Sequence, residues 1–299
     1  MFKLQKIKRK DLDVDKYSKA LNDASNYRIY AEHWYLDILT EEKWECLVFG
    51  DYEVIMPIPL QYKFGIKFVL QPIYCQQLGV FYKEEISEEI FREFEKKLHK
   101  YRVRAYHFNE ENTEKFSPEG ERRVNQILNI DKPYEYIFKE YRKGRKSDIN
   151  VAKKANLNLV KKLNIDELIT LNRENQDAFI SEKNRNKLKL LFESLRRNGK
   201  LIGYSLRNNG NENIAMCLLS DSGNRIILIF LIRNKSKKPC GEISFLLNEI
   251  FKDFSQVVKE FDFEGSAIPG VASFNESFGA DKRLYTIFSN MPNPKLLNA

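Results

Sequence analysis

The sequence predicts an α/β protein of two tandem domains, each a mixed, mostly antiparallel sheet flanked by helices. Three observations lead to this prediction. The 299 residues exceed what one hydrophobic core usually supports. Hydrophobic residues make up 42% of the chain, which is enough to fill packed cores. Helical and strand-like patterns also follow one another in the same order in both halves, as helix, hairpin and helix.

A hairpin followed by a helix is predicted in the first half. Two apolar runs, 46–49 and 52–56, flank Gly50-Asp51, a pair typical of tight turns. Further along, Ser87 offers a hydroxyl N-cap, and acidic residues follow it in the first turn. The apolar residues after this cap recur at helical spacing and predict one buried face.

The second half repeats this plan with a longer buried strand. Runs at 201–206 and 214–219 flank an Asn-Asn-Gly turn and predict a second hairpin. The continuous β-branched run 225–232 is typical of a strand buried on both faces. Apolar residues at helical spacing in 243–254 predict a helix, and a short strand is predicted at 261–263.

A basic segment lies between the two halves. Residues 139–162 contain nine Lys or Arg against two acids. Because Gly144 and Ser147-Asp148 interrupt the segment, we interpret it as partly linker and partly the start of a helix. The predicted domains are therefore 1–138 and 139–299.

The composition argues against several classes of protein. The four cysteines and three histidines show no zinc-site spacing, so no metal is expected. The longest apolar run, 226–232, is far shorter than the ~20 residues that a membrane helix requires. The first residues lack the apolar core of a secretory signal, and a cytoplasmic location is expected.

Two short motifs near the C-terminus carry a family resemblance. The run F-D-F-E-G-S at 261–266 is followed by F-N-E-S-F-G at 274–279. This pair resembles the C-terminal signature of FemABX-like tandem GNAT proteins, in which an aromatic-rich strand ending in glycine precedes F-K-x-x-F-G. The segments 50–57 and 142–155 also resemble that family, so the resemblance covers most of the chain.

The resemblance implies an N-acyltransferase. FemABX enzymes move an amino acid from aminoacyl-tRNA to the peptide of a cell-wall precursor, and GNAT enzymes use acyl-CoA. Here Asn275 stands where the family has a lysine. An amide donates a weaker hydrogen bond to a developing oxyanion than a lysine does. We therefore expect transfer of an activated acyl group to an amine. The donor would be acyl-CoA or aminoacyl-tRNA, and the acceptor a small molecule or a cell-envelope precursor. Asn275 makes aminoacylation of peptidoglycan a less favoured reaction.

Three residues are candidates for catalysis. Glu264 and Ser266 follow a strand at its C-terminal end, where open α/β sheets place ligand-binding groups. Glu264 could deprotonate the attacking amine, Ser266 could donate or accept a hydrogen bond, and Asn275 could contact the oxyanion. The alternative is that Glu264 is a solvated edge carboxylate beside a simple turn.

Five further residues are candidates for binding substrate. Arg142, Arg145 and Lys146 could hold an anionic substrate or tRNA phosphates, or could form a solvated helix face. Trp34 lies in an aromatic segment that suits a cleft or a buried loop. Phe274 could line a pocket, although packing against Phe278 is the commoner role at this spacing.

The loop 233–241 is a candidate cofactor site. It lies where GNAT enzymes hold the pyrophosphate of coenzyme A at a helix start, and Lys237, Lys238 and Gly241 would contact it. A solvated basic loop is the alternative. Two further functions stay open. One is a coenzyme-A-dependent N-acetyltransferase that uses only the second domain, and the other is a non-catalytic binding protein that retains the fold.

Overall fold

The computed structural model describes residues 4–175, 181–265 and 268–291, which contain ten α-helices and thirteen β-strands. The chain forms two compact units. Residues up to 123 and from 284 onward make the first unit, and residues 124–283 make the second. Both are mixed α/β units, as the sequence predicts. Among the described residues, no helix has both the length and the apolar composition needed to cross a bilayer.

The first unit contains four helices, six complete strands and most of a seventh. The helices are α1 Val14–Asp23, α2 His33–Thr40, α3 Glu88–Leu98 and α4 Glu110–Phe116. The strands are β1 Gln5–Lys8, β2 Trp44–Phe49, β3 Val54–Lys63, β4 Ile66–Leu70, β5 Phe81–Tyr82, β6 Val103–Phe108 and β13 Asp281–Phe288, the last of which begins in the second unit.

The sheet of the first unit has the order β1-β2-β3-β4-β6-β13, with β5 beside β3. Among these described strands, only β4 and β6 pair in parallel. The predicted hairpin is confirmed, because Phe49 pairs with Val54 across the turn at Gly50. The predicted cap is confirmed as well: the Ser87 hydroxyl accepts a hydrogen bond from the backbone N–H of Ile90.

The second unit contains six helices and six strands. The helices are α5 Tyr134–Glu140, α6 Lys143–Lys154, α7 Ile165–Asn175, α8 Glu182–Arg197, α9 Glu242–Phe254 and α10 Pro269–Glu276. The strands are β7 Glu121–Asn129, β8 Asn158–Val160, β9 Leu201–Arg207, β10 Asn213–Asp221, β11 Arg225–Arg233 and β12 Glu260–Asp262. The limit between the units lies within β7. The predicted boundary between residues 138 and 139 lies within α5 and stays a prediction.

The sheet of the second unit has the order β7-β12-β11-β10-β9-β8. Within the described part of this unit, only β11 and β12 pair in parallel. The second predicted hairpin is confirmed by the antiparallel pairing of β9 with β10. The core beneath this sheet contains Phe251 of α9 in edge contact with Phe261 and Phe278, at centroid distances of 4.8 and 5.5 Å. Phe278 of the C-terminal motif is therefore a core residue.

The basic segment was only partly predicted correctly. The prediction of a linker around Gly144 and Ser147-Asp148 is wrong, because α6 runs without interruption from Lys143 to Lys154. Gly144 lies in the first turn of this helix. Ile149 and Ala152 are fully buried on the face that packs against α9. This packing stabilises the helix more than one glycine near its start weakens it.

Candidate functional site

In the second unit, the parallel pairing of β11 with β12 stops where β12 ends. Their parallel pairing runs only from Arg225 with Glu260 to Ile227 with Asp262. Beyond that point β11 continues to Arg233, and β12 has ended. The carboxyl end of a parallel strand pair is a common location for ligand groups in α/β sheets.

Asp262 holds the end of β12 in place. The carboxylate is 1% exposed and accepts hydrogen bonds from Arg225 Nη1 at 2.9 Å and from Asn125 Nδ2 at 3.0 Å. It also accepts one from the backbone N–H of Glu264 at 2.8 Å. The buried charge is therefore paired and hydrogen-bonded, and it fixes the backbone that leads to Glu264.

Glu264 and Gly265 form a tight left-handed turn after β12. Both residues have φ near +59°. A side chain at Gly265 would have its Cβ 2.5 Å from the carbonyl oxygen of Val124, so glycine is required here for space as well as for conformation. The partly buried side chain of Glu264 thus lies at the strand end, as the sequence predicts. Ser266 lies outside the described residues.

Asn275 links α10 to β7. It is 4% exposed, and its side-chain Nδ2 donates a hydrogen bond of 2.8 Å to Oε1 of Gln126. Gln126 in turn donates from Nε2 to the carbonyl oxygen of Ala272, also at 2.8 Å. One amide hydrogen of Asn275 is therefore engaged in positioning α10. Its predicted catalytic role stays a prediction.

The start of α6 meets the end of α10, and three predicted substrate-binding residues come together there. The backbone N–H of Arg142 donates to the carbonyl oxygen of Ser277 at 2.9 Å. The guanidinium carbon of Arg145 lies 4.6 Å from the centroid of the Phe274 ring, a cation–π contact. Arg145 also donates to Ser244 Oγ at 2.9 Å, which sets the direction of its guanidinium.

This helix start carries an excess of positive charge. No side chain caps α6, and its first turn contains no acidic residue. The nearest carboxylate oxygen to the largely exposed Arg142 is that of Glu276, at 3.7 Å. Lys146 faces another way, since its Nζ donates to the carbonyl oxygen of Lys139 at 3.0 Å. Arg145 is partly neutralised, because its Nη2 forms an ion pair of 3.0 Å with Asp148. The Arg142 guanidinium and the helix dipole are therefore the groups that can bind an anion here.

The start of α9, unlike that of α6, is occupied by an acidic side chain. Gly241 has a φ of +80°, and a Cβ there would lie 2.1 Å from the backbone oxygen of Asp148 in α6. Glu242, which is 3% exposed, accepts hydrogen bonds from Arg233 Nε at 2.6 Å and from the backbone N–H of Cys240 at 2.8 Å. A carboxylate of the protein therefore occupies the helix start, and α6 packs against it.

The ionisation of these groups follows from their neighbours. Burial alone would raise the pKa of Glu242, but the Arg233 guanidinium and the backbone N–H donors outweigh it, and the pKa is lowered. Burial and the adjacent Glu242 carboxylate raise the pKa of the Cys240 thiol. Cys240 is thus protonated near neutral pH and is a poor nucleophile.

Similar proteins are found by structure and not by sequence. No protein-family model and no curated protein matches the chain. The crystal structure of FemX matches with a TM-score of 0.67 and 8% identity, over 95% of this chain and 97% of that one. L-PGS from Bacillus licheniformis matches with a TM-score of 0.59 and 15% identity, over 94% of this chain and 93% of that one.

A tandem GNAT protein from the clavulanic acid biosynthesis pathway also matches, with a TM-score of 0.51 and 11% identity, over 98% of this chain and all of that one. The chain has a FemABX-like tandem GNAT fold. The family resemblance inferred from the sequence is thereby confirmed for the fold. At such identities a match shows the fold and not the reaction.

In this tandem GNAT fold the predicted cofactor residues do not gather around an open helix start. Lys237 Nζ forms an ion pair with the carboxylate of Glu212 at 2.7 Å, and Lys238 is exposed. Gly241 packs against α6. The predicted binding of coenzyme A by these residues stays a prediction, and the Glu242 carboxylate argues against it.

The remaining predicted residue, Trp34, belongs to the first unit of the tandem GNAT fold. Its ring makes a tilted contact with Tyr35 at 5.7 Å, and the Tyr35 hydroxyl donates to the carbonyl oxygen of Tyr74 at 2.6 Å.

Within residues 4–175, 181–265 and 268–291, no three His, Cys, Asp or Glu side chains form a cluster that could hold a metal ion.

The sequence analysis did not predict several residues of the site. Gln126 and Ser244 position Asn275 and Arg145, and neither lies near its partner in the chain. No local signal could have paired them. Glu242 offered one signal, because an acid directly after Gly241 in a first turn is suited to fill that helix start.

Proposed function

We propose that the chain is an acyl- or aminoacyltransferase that moves an activated acyl group to an amine of an anionic acceptor, such as a cell-envelope precursor. One observation carries the proposal: Arg142, Arg145 and Phe274 gather at the uncapped start of α6. The exposed Arg142 guanidinium suits a phosphate or carboxylate, while Arg145 is held by Asp148 and lies over the Phe274 ring. The tandem GNAT fold supports the type of reaction.

The start of α9 favours a donor other than coenzyme A. A pyrophosphate at this helix start would have to displace the Glu242 carboxylate from Arg233 and from the Cys240 N–H. Like charges would repel within a buried site. An aminoacyl ester of tRNA needs no such pocket, and the basic residues of 139–162 could contact its phosphates.

The chemistry is a direct displacement. The acceptor amine attacks the carbonyl carbon of the ester, the new C–N bond forms and the ester C–O bond breaks. The amine passes its proton to Glu264, and the alcohol leaves with a proton from solvent. Ser266 and Asn275 would donate hydrogen bonds to the oxyanion, and holding both substrates in one orientation would supply much of the acceleration.

Acceptor binding can be tested directly by calorimetry. The probe is a nucleotide-linked muramyl peptide with a free lysine amine. Arg142→Gln should weaken binding about tenfold, the loss expected for one charge-assisted hydrogen bond. Lys153→Gln is the matched control, since it removes an exposed charge at the far end of the same helix. Equal effects of the two substitutions would argue against an acceptor site at Arg142.

Turnover tests the donor and Glu264. The chain, a labelled aminoacyl-tRNA and the muramyl peptide should yield labelled product, and Glu264→Gln should reduce its rate by about 10²–10⁴. Acetyl-CoA at 100 times a Kd for the native protein would add about 2.7 kcal/mol of stability. We expect no such thermal shift. A shift that Lys237→Gln abolishes would favour the coenzyme-A-dependent enzyme instead.

A second function is favoured by the hydrogen bond between Asn275 and Gln126. Where the resemblance expects a charged lysine, this chain has a buried amide that holds α10. A binding protein that retains the fold needs Asn275 only to hold α10 in place and not to stabilise an oxyanion. Binding of the muramyl peptide without product formation, from any aminoacyl-tRNA or acyl-CoA supplied, would support this alternative.

A further inference from the structure

The turn between β3 and β4 in the first unit exposes three apolar side chains. Phe64 is 92% exposed, Tyr62 is 56% exposed and Ile66 is 46% exposed. Lys63 pairs with Ile66, so the connection is a two-residue hairpin turn at Phe64-Gly65. These side chains are therefore held at the end of a regular hairpin.

The turn itself gives no reason for a phenylalanine. Phe64 has a φ of +51° and Gly65 of +72°, a backbone that favours Asn-Gly. A bulky side chain is uncommon at positive φ. The only ring contact of Phe64 among the described residues is with Lys63 Nζ, 5.6 Å from its centroid. Neither local conformation nor packing accounts for an aromatic residue here.

A basic cavity of about 620 Å³ adjoins the hairpin. Ile66 belongs to its lining, and none of its nine lining residues is acidic. Five of the nine are basic: Lys6, Lys67, Lys97, Lys100 and Arg102. The same surface thus combines exposed apolar side chains with a concentration of positive charge.

Most of this charge is not neutralised within the first unit. Lys67 forms an ion pair of 2.9 Å with the buried Glu45. Among the described residues, Lys97, Lys100 and Arg102 form no ion pair, and neither does Lys6. Five cations against one carboxylate leave four positive charges on this surface.

We propose that this surface docks the first unit on an anionic lipid bilayer. Phe64, Ile66 and Tyr62 would enter the headgroup region, where aromatic and aliphatic side chains are favoured. The four cations would lie against anionic headgroups. The apolar side chains favour a bilayer over a nucleic acid, because a phosphate backbone offers Ile66 and Phe64 no apolar partner.

Co-sedimentation of the full chain with lipid vesicles tests the proposal. Vesicles containing phosphatidylglycerol should bind the chain, and vesicles of phosphatidylcholine alone should bind it at least tenfold less. Binding should fall steeply with added salt. Phe64→Ser should weaken binding about tenfold, and the Lys97→Gln/Lys100→Gln variant should lower both the affinity and its dependence on salt.

Two controls remove comparable groups elsewhere. Val257→Ser removes a side chain that is 68% exposed, and Arg196→Gln/Arg197→Gln removes two exposed charges. Both should bind vesicles as the unaltered chain does. Equal binding to both kinds of vesicle, or equal losses in controls and test variants, would overturn the proposal. So would retained binding by Phe64→Ser together with competition by inorganic phosphate or tRNA, which would indicate a phosphate or nucleic-acid site.

Discussion

The α-carbon of Gly241 faces the backbone carbonyl of Asp148 so closely that a Cβ there would lie 2.1 Å from the oxygen. This approach joins the start of α9 to α6, the helix that carries Arg142 and Arg145. The packing of two helices thus sets the position of the candidate anion site.

Gly241→Ala should destabilise the protein by roughly 2–3 kcal/mol. The new Cβ would meet backbone and not a movable side chain, and alanine is strained at a φ of +80°. Chemical denaturation gives the free energy of unfolding. Gly144→Ala is the matched control, because nothing lies within 4 Å of its Cβ position in α6. It should stabilise by about 0.5 kcal/mol, and losses of similar size in both variants would contradict the packing argument.

Asn275→Ala should cost about 1–3 kcal/mol, because Gln126 Oε1 would lose its 2.8 Å donor inside the protein. The comparison is Asn150→Ala, which removes an exposed asparagine from α6. That change should stay within about 0.5 kcal/mol. If thermal unfolding showed no difference between the variants, the bond to Gln126 would contribute little and a catalytic role for Asn275 would gain support.

Asp262→Asn should destabilise the protein by roughly 3 kcal/mol, since Arg225 would keep a buried charge with less compensation. Arg225→Met should then cost less in the Asp262→Asn background than alone. A double-mutant cycle from urea denaturation measures this coupling. Strictly additive effects would show that the 2.9 Å contact between Arg225 and Asp262 carries no net interaction.

His107 should make the protein less stable in acid. Desolvation of its ring, against the opposing bond to the Gln76 carbonyl and with a smaller contribution from Arg123, lowers the pKa to about 4. The unfolded chain binds a proton near pH 6.5, so the contribution is complete above that pH and is lost as the pH falls towards about 4. His107→Gln should flatten the free energy of unfolding over this window. The exposed His99 provides the comparison, and an equal flattening in His99→Gln would contradict the assignment.

Local signals in the sequence were sufficient for the hairpins and the Ser87 cap. A turn such as the one at Gly50 is encoded by neighbouring residues, and so is the hydrogen bond of a cap. The continuous α6 was missed because its stability comes from Ile149 and Ala152 packed on α9, nearly a hundred residues later in the chain. Periodicity within the segment carries no information on such packing.

The candidate site was predictable in its residue types and not in its arrangement. Arg142, Arg145 and Phe274 were chosen from two separate motifs, and the structure brings them together. The same motifs gave no sign that Asn275 is tied to Gln126, which lies 149 residues away. Pairings over such distances depend on the tertiary fold and have no local pattern.

The Glu242 carboxylate acts as a tethered ligand of its own helix. A group fixed to the chain competes with free anions at a high effective concentration, which no dilution reduces. Phosphates and nucleotides dissolved around the protein would have to exceed that concentration to reach Arg233 and the Cys240 N–H. The phosphates of coenzyme A would meet the same competition at the start of α9.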